Sequence, residues 1–177
     1  RDDLVTGVQT CALPIYGIAD AATTLVGQSM GAGRHELMKR FAWLSVGLGV
    51  MVMAVMGVVM YVGAPTAMAM MTPAEEVRRL GVEVLRIEAF AEPMFAAAIV
   101  SYGVFVGAAK TLVPSIMNLI SIWGVRISLA AMLAPSMELR GVWIAMCIEL
   151  CFRGLIFLVK LKFWNIQTSC KYYGKDQ

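Results

Sequence analysis

The chain has 177 residues, of which 59% are hydrophobic and 15% are charged, and its formal net charge is +3. A soluble domain is about half apolar and about a quarter charged, and one of roughly 150 residues still exposes about 30% of its unfolded-chain surface to water. The composition therefore excludes a water-soluble globular protein, a disordered chain and a disulfide scaffold, which leaves an integral membrane protein or a part of one.

Residues 1–15 differ in character from the rest of the chain. They are comparatively polar, show no helical period, and lack the basic start and apolar stretch of a signal peptide. The run DDLVTGVQTCALPI resembles the translated sequence of a sequencing adapter. We therefore predict that 1–15 is a foreign, non-native segment; a native loop is the alternative.

The membrane-spanning part is predicted to cover residues 16–163. The mostly apolar stretch 16–30 is shorter than the roughly 20 residues that cross a bilayer, so it is interpreted as the second half of a spanning helix. The charged, amphipathic stretch 73–88 is predicted to lie at the membrane surface, and Pro65 is expected to end the span before it. Four stretches are long and apolar enough to be full spans: 41–64, 89–109, 111–133 and 141–159.

The basic residues of the connections predict the orientation. Alternating sides place eight Lys and Arg on the side of the C-terminus and four on the other. The first group is Arg34, Lys39, Arg40, Lys110, Lys160, Lys162, Lys171 and Lys175, and the second is Arg78, Arg79, Arg86 and Arg140. Because positive loops stay inside, we expect a multi-pass protein of the cell membrane with a polar cytoplasmic tail at 164–177.

Glu92 is the candidate for ion coupling. An ionisable group inside a membrane is costly and marks a functional candidate. Glu92 directly precedes Pro93, which cannot donate a helical hydrogen bond and so frees a carbonyl one turn earlier. A carboxylate beside freed carbonyls suits a proton or a cation. The alternative is an interfacial Glu that ends the surface helix.

Three further charges lie inside the predicted spans. Arg126 is near the middle of its span and must face protein or water, as a charge that lines a cavity or serves in packing. Glu149 and Arg153 are four positions apart with Glu first, the favourable helical order, which predicts a structural ion pair. The pairs Gly27/Gly31 and Gly103/Gly107 have the GxxxG spacing that permits close helix approach.

Nothing in the sequence indicates an enzyme. There is no acid dyad, no nucleophile beside a base, no phosphate-binding loop and no zinc-ligand spacing, so we predict no catalytic residues, no cofactor and no metal site. The basic residues are sparse and flank apolar spans, which argues against nucleic-acid binding.

Several motifs resemble one transporter family in the expected order. GIADAATTLVGQSMGAGR resembles the end of the eighth helix of multidrug and toxic compound extrusion (MATE) transporters, and LGVEVLRIEAFAEPMFA resembles the lead-in and start of the tenth. WGVRISLA resembles the eleventh helix, and GVWIAMCIELCFRGLIFLVKLK the twelfth. FVGAAKTLVP stands where the family usually has RGAGDT-x-x-P, with Val106 and Lys110 in place of its Arg and Asp.

The resemblance implies an all-α integral membrane fold, the C-terminal part of a twelve-helix bundle comprising the end of helix 8 and helices 9–12. It implies a fragment of a sodium- or proton-coupled antiporter that exports small organic cations and other xenobiotics by alternating access, in the lipid bilayer and together with the N-terminal lobe of the same transporter. The stretch 94–98 is wholly apolar where some members carry an acid, so coupling would depend on Glu92 or on an acid in the N-terminal lobe.

Two alternatives stay open at this stage. One is a flippase for lipid-linked saccharides of the same broad superfamily, which several arginines lining a cavity would favour. The other is an integral membrane enzyme, which would need polar catalytic groups that converge at one membrane face.

Overall fold

The computed structural model describes residues 2–164, without the side chains of residues 2–12 and of Ser136, Glu138 and Leu139. Residues 165–177, most of the predicted cytoplasmic tail, lie outside this range. The described chain consists of helices joined by short turns, and it contains no strand. The elements are α1 (Asp2–Gly31), α2 (His35–Met71), α3 (Glu75–Gly107), α4 (Leu112–Ile120), a π-helical segment (Ser121–Ile127) and α5 (Ser128–Lys162).

Four helical stretches in the described residues are long and apolar enough to cross a membrane. We call them the first to fourth spans: His35–Met71, Glu75–Gly107, Leu112–Pro135 and Arg140–Lys162. The prediction of an all-α fold with four full spans is confirmed. The first span is α2 and the second is α3. The third combines α4, the π-helical segment and the start of α5.

Helix boundaries differ from the sequence-based ones at three places. Helix α2 does not end at Pro65 but continues to Met71, and α3 joins the predicted surface helix and the following span in one helix that passes through Pro93. Helix α1 begins at Asp2, within the segment 1–15. Because the hydrocarbon core offers no hydrogen-bonding partner, a chain keeps its backbone groups paired by staying helical, even where proline removes one bond.

The third and fourth spans form an antiparallel hairpin. Asn118 contacts Arg153, Ser121 contacts Glu149 and Arg126 contacts Met146. Residue numbers therefore rise along one span where they fall along the other, which is the antiparallel arrangement. At the closed end, a Cβ atom added to Gly141 would lie 2.5 Å from the carbonyl oxygen of Leu133. The chain therefore reverses between these two residues, within the range of α5 and between the predicted spans 111–133 and 141–159.

Helix α3 is the centre of the bundle and packs against α1, α2 and the fourth span. Small residues permit this: Ala96 and Ala97 are fully buried, and a Cβ atom on Gly103 would lie 2.7 Å from the carbonyl oxygen of Ala19. The hydroxyl of Thr23 on α1 donates a hydrogen bond to the Gly103 carbonyl at 2.9 Å. The Gly103/Gly107 motif thus lies at a close helix crossing, as its spacing predicted.

Helices α1 and α3 end in the same type of turn. The amides of Gly33 and Arg34 donate to the carbonyls of Met30 and Ser29, which is the hydrogen-bond pattern of a Schellman motif. At the end of α3, Ala109 and Lys110 repeat this pattern with Val106 and Phe105. The left-handed position holds glycine in the first turn, with φ of 68°, but Ala109 in the second, with φ of 56°.

Candidate functional site

Two glutamates lie one turn apart on α3. Glu88 and Glu92 are half-buried, close enough to interact electrostatically, and each has a buried carboxylate oxygen without a hydrogen-bond partner among the described residues. Glu92 lies against the first span near Gly57, whose added Cβ atom would be 3.6 Å from the Glu92 Cβ. Buried oxygens of this kind are costly unless something satisfies them. A proton or a cation could do so here.

Arg126 belongs to the π-helical segment of the third span. Its guanidinium lies 2.7 Å from the Sδ atom of Met146 on the fourth span, and it acts electrostatically on Glu88. It also lines a shallow apolar groove of about 530 Å³ between the third and fourth spans. Arg126 is therefore both a packing contact and a groove-lining charge, and its charge acts on one of the two glutamates of α3, Glu88.

A buried polar network connects the third and fourth spans. Glu149 is fully buried, and its Oε1 atom lies 3.2 Å from Arg153 Nε. The same oxygen accepts a hydrogen bond from the Ser121 hydroxyl at 2.8 Å. Arg153 also donates from one terminal nitrogen to Asn118 Oδ1 at 2.7 Å. The two residues predicted as a pair on one helix are thus part of a four-residue network between two helices.

Arg153 also borders a half-open cavity of about 400 Å³ that is lined by α1, α3 and the last two spans. The polar and aromatic side chains around it include Tyr16 and Asp20 on α1, Tyr102 on α3, Asn118 and Phe157. Backbone packing between α1 and α3 at Gly103 forms one wall. The described part of the chain contains no group of three or more His, Cys, Asp or Glu residues that could hold a metal ion.

Sequence reasoning missed Asn118 and Ser121 as members of the network. Both are polar residues inside a span that is otherwise almost wholly apolar, and a polar side chain in hydrocarbon needs a partner. That signal was present in the sequence. The partner was not, because it lies 35 residues away from Asn118 along the chain and 28 residues away from Ser121.

The chain is similar in sequence to known proteins. The chain is 27% identical over 150 residues to a probable multidrug resistance protein NorM of Xylella fastidiosa, an alignment that covers 84% of the chain and 32% of the relative. It is 26% identical over 152 residues to the probable NorM protein of Thermotoga maritima, with 83% and 32% covered. The chain therefore spans about a third of the length of these relatives.

A solved structure has the same fold. It is the inward-facing conformation of a multidrug resistance MATE family transporter of the MOP superfamily, and it superposes with a TM-score of 0.80 at 16% identity. The match covers 96% of this chain and 39% of that one. At this identity the likeness concerns the fold.

The MatE family model matches residues 7–132, well over half of the chain. That range includes α2, α3 and nearly all of the third span, and it begins inside segment 1–15. Members of this family are transporters rather than enzymes. The four spans, the small-residue packing around α3 and the match to the family model lead to one conclusion: the chain is an integral membrane protein that belongs to the MatE family.

Proposed function

We propose that this chain forms part of a cation-coupled antiporter that exports small organic cations and other xenobiotics by alternating access. Membership of the MatE family and the similarity to proteins named multidrug resistance protein NorM support export. The exporter would lie in the cell membrane with a cytoplasmic C-terminus, and an N-terminal lobe would complete the central cavity. It would need no cofactor besides the coupling ion and no nucleic acid.

The observation that carries the coupling proposal is the pair of glutamates on α3. Two carboxylates lie one helical turn apart in a membrane span, each with a buried oxygen that lacks a partner among the described residues. Two nearby negative charges that are poorly solvated favour uptake of a proton or of a sodium ion. Uptake and release of that ion would shift the equilibrium between the two conformations that the lobes adopt during alternating access.

Arg126 has a defined role in this proposal. Its charge acts on Glu88 from the neighbouring span, whereas Glu92 lies one turn deeper and faces the first span. A fixed positive charge near Glu88 competes with a coupling cation for that carboxylate. We therefore propose that Glu92 binds the coupling ion and that Glu88 modulates this binding.

The test is Glu92→Gln in the longer transporter that contains this chain. Glutamine keeps the size of the side chain and removes its charge, so we expect loss of most ion-driven dye efflux from loaded vesicles, with protein abundance unchanged. Glu83→Gln is the matched control, because Glu83 is on the same helix but 40% exposed and paired with Arg140. Undiminished efflux in Glu92→Gln would remove Glu92 from the mechanism.

The identity of the ion is tested with the same vesicles. A sodium gradient without a pH gradient, and the reverse, separate the two candidates, and the effective gradient should lose its effect in Glu92→Gln. The chain alone, reconstituted in sodium- or pH-loaded vesicles, is expected to show no dye efflux, because a central cavity needs both lobes. Efflux by the chain alone would contradict the two-lobe part of the proposal.

A further inference from the structure

We propose that the cavity between α1, α3 and the last two spans binds the carboxylate of a small aromatic or alicyclic acid, with Arg153 as the residue that holds it. This binding site goes beyond the proposed export of cations and does not depend on the coupling ion. Three features carry the inference: the way Arg153 is held, the size and walls of the cavity, and the position of the other charges.

Arg153 is fixed in place before any ligand binds. Its Nε atom faces the Glu149 carboxylate at 3.2 Å, and one terminal nitrogen donates to Asn118 at 2.7 Å. Glu149 is itself fully buried and accepts a further bond from Ser121, so it is a rigid support. A guanidinium has five N–H donors in a planar fork, and these two contacts do not use all of them, so donors remain available for a ligand. Little side-chain entropy remains to be lost when an anion binds.

The exposed part of Arg153 borders the cavity. Its side chain is 14% exposed, and Arg153 and its partner Asn118 both line the cavity of about 400 Å³. That volume is within the usual range of about 300–1,000 Å³ for sites that bind small organic molecules. A guanidinium at the wall of such a site recognises carboxylates through two parallel charge-assisted hydrogen bonds.

The remaining walls indicate the body of the ligand. Ala98, Ile99 and Phe157 are apolar, and the rings of Tyr16 and Tyr102 add flat aromatic surface with a hydroxyl at the edge. A ring system of one or two fused rings matches this lining better than a sugar or a free phosphate, which would leave apolar walls against polar groups.

The charges around the cavity are compatible with binding of an anionic group of the ligand. Asp20 also borders the cavity, but its side chain is exposed, so solvent screens its charge. Arg126 acts on Arg153 from the neighbouring span and adds positive potential. The negative charge of Glu149 opposes this potential, but Glu149 is fully buried and does not line the cavity.

The test measures binding of 2-naphthoate, with the uncharged isostere 2-naphthamide as reference, to the purified chain in lipid nanodiscs. We expect naphthoate to bind more tightly than naphthamide. Arg153→Gln should weaken naphthoate about ten- to hundredfold and leave naphthamide unchanged, since a hydrogen bond to a charged group has that effect on affinity. Arg140→Gln is the matched control, because Arg140 is paired with Glu83 and does not line the cavity, and it should change naphthoate affinity less than threefold.

Arg153→Gln leaves Glu149 buried without its ion-pair partner, so a folding defect has to be separated from a binding defect. The double variant Glu149→Gln with Arg153→Gln replaces the ion pair by two neutral amides and should lose naphthoate binding to the same extent. With the four native cysteines replaced by serine, naphthoate should slow maleimide labelling of a cysteine introduced at Val106, which lines the cavity, and naphthamide should do so only at higher concentration. Equal affinity for the two probes, full binding by the double variant, or no protection at Val106→Cys would overturn the proposal.

Discussion

Helix α3 and the third span are equally apolar but are attached to the bundle in different ways. Their mean hydropathies over the spanning window are 1.6 and 1.7, yet 56% of that window is buried in α3 and 6% in the third span. Helix α3 is held by close contact of small residues with its neighbours. The third span is mostly exposed and is held to the fourth by polar side chains, through Ser121, Asn118 and Arg126.

The difference shows what associates helices in a membrane. Lipid is as apolar as leucine, so burial of apolar surface alone gives little driving force, and helices associate by tight packing or by hydrogen bonds. Helix α3 uses mainly the first and the third span mainly the second. Substitutions in either region test this difference.

The largest effect is expected where the polar attachment is broken. Glu149→Leu leaves the largely buried Arg153 without its ion pair, and removal of one partner from a buried pair costs about 3–5 kcal/mol. We expect a loss of that size in the free energy of unfolding, measured by reversible denaturation in mixed micelles.

Arg140→Gln is the control for that loss. It breaks an ion pair with Glu83 at 2.8 Å in which both side chains are at least 40% exposed, and it should cost less than about 1 kcal/mol. Equal losses in the two variants would mean that burial of the Glu149 network contributes nothing to the attachment of the third span.

The next largest effect is expected where the close packing is broken. Gly103→Val places a side chain against the Ala19 carbonyl and forces α1 away from α3, which should cost about 1–3 kcal/mol. The matched control is Gly124→Val on the third span, where the nearest atom is 4.0 Å from the added Cβ. That variant should be neutral or slightly stabilising, since valine has the higher helix propensity. A larger loss at Gly124 would reverse the comparison.

The smallest effect is expected at the turn that joins the two regions. Ala109 has a left-handed backbone with φ of 56°, a conformation that costs an L-residue about 1 kcal/mol and glycine almost nothing. Ala109→Gly should therefore raise the unfolding free energy by about 0.5–1 kcal/mol. Ala108→Gly is its neighbour control: with φ of −85° it gains nothing from glycine and should lose stability. A loss in Ala109→Gly would show that this turn is not strained.

Much of the fold was accessible from the sequence because the bilayer sets the length of each span. Stretches of about 20 apolar residues predicted the four spans, and proline and charge marked the approximate ends. The error at Pro65 has a physical cause. Proline is a strong helix breaker in water, but in apolar surroundings a helix that loses one bond is better than an unpaired backbone.

The candidate site was only partly accessible. Spacing along one helix predicted the Glu149–Arg153 pair and brought Glu88 and Glu92 to the same face of α3. It could not predict that Ser121 and Asn118 join the pair, because those contacts cross between helices. The π-helical segment that begins at Ser121 has no sequence signature that we recognise.

The sequence by itself determined that this protein is all-α, that it has four full spans, and that the family motifs follow one another in order, because hydropathy and helical spacing are local properties of the chain. Only the tertiary structure decided which span is central and which is peripheral. It also decided that Arg153 borders a cavity and that α1 contacts Gly103. Spans of equal hydropathy are equivalent to lipid, and only the side chains that meet between helices distinguish them.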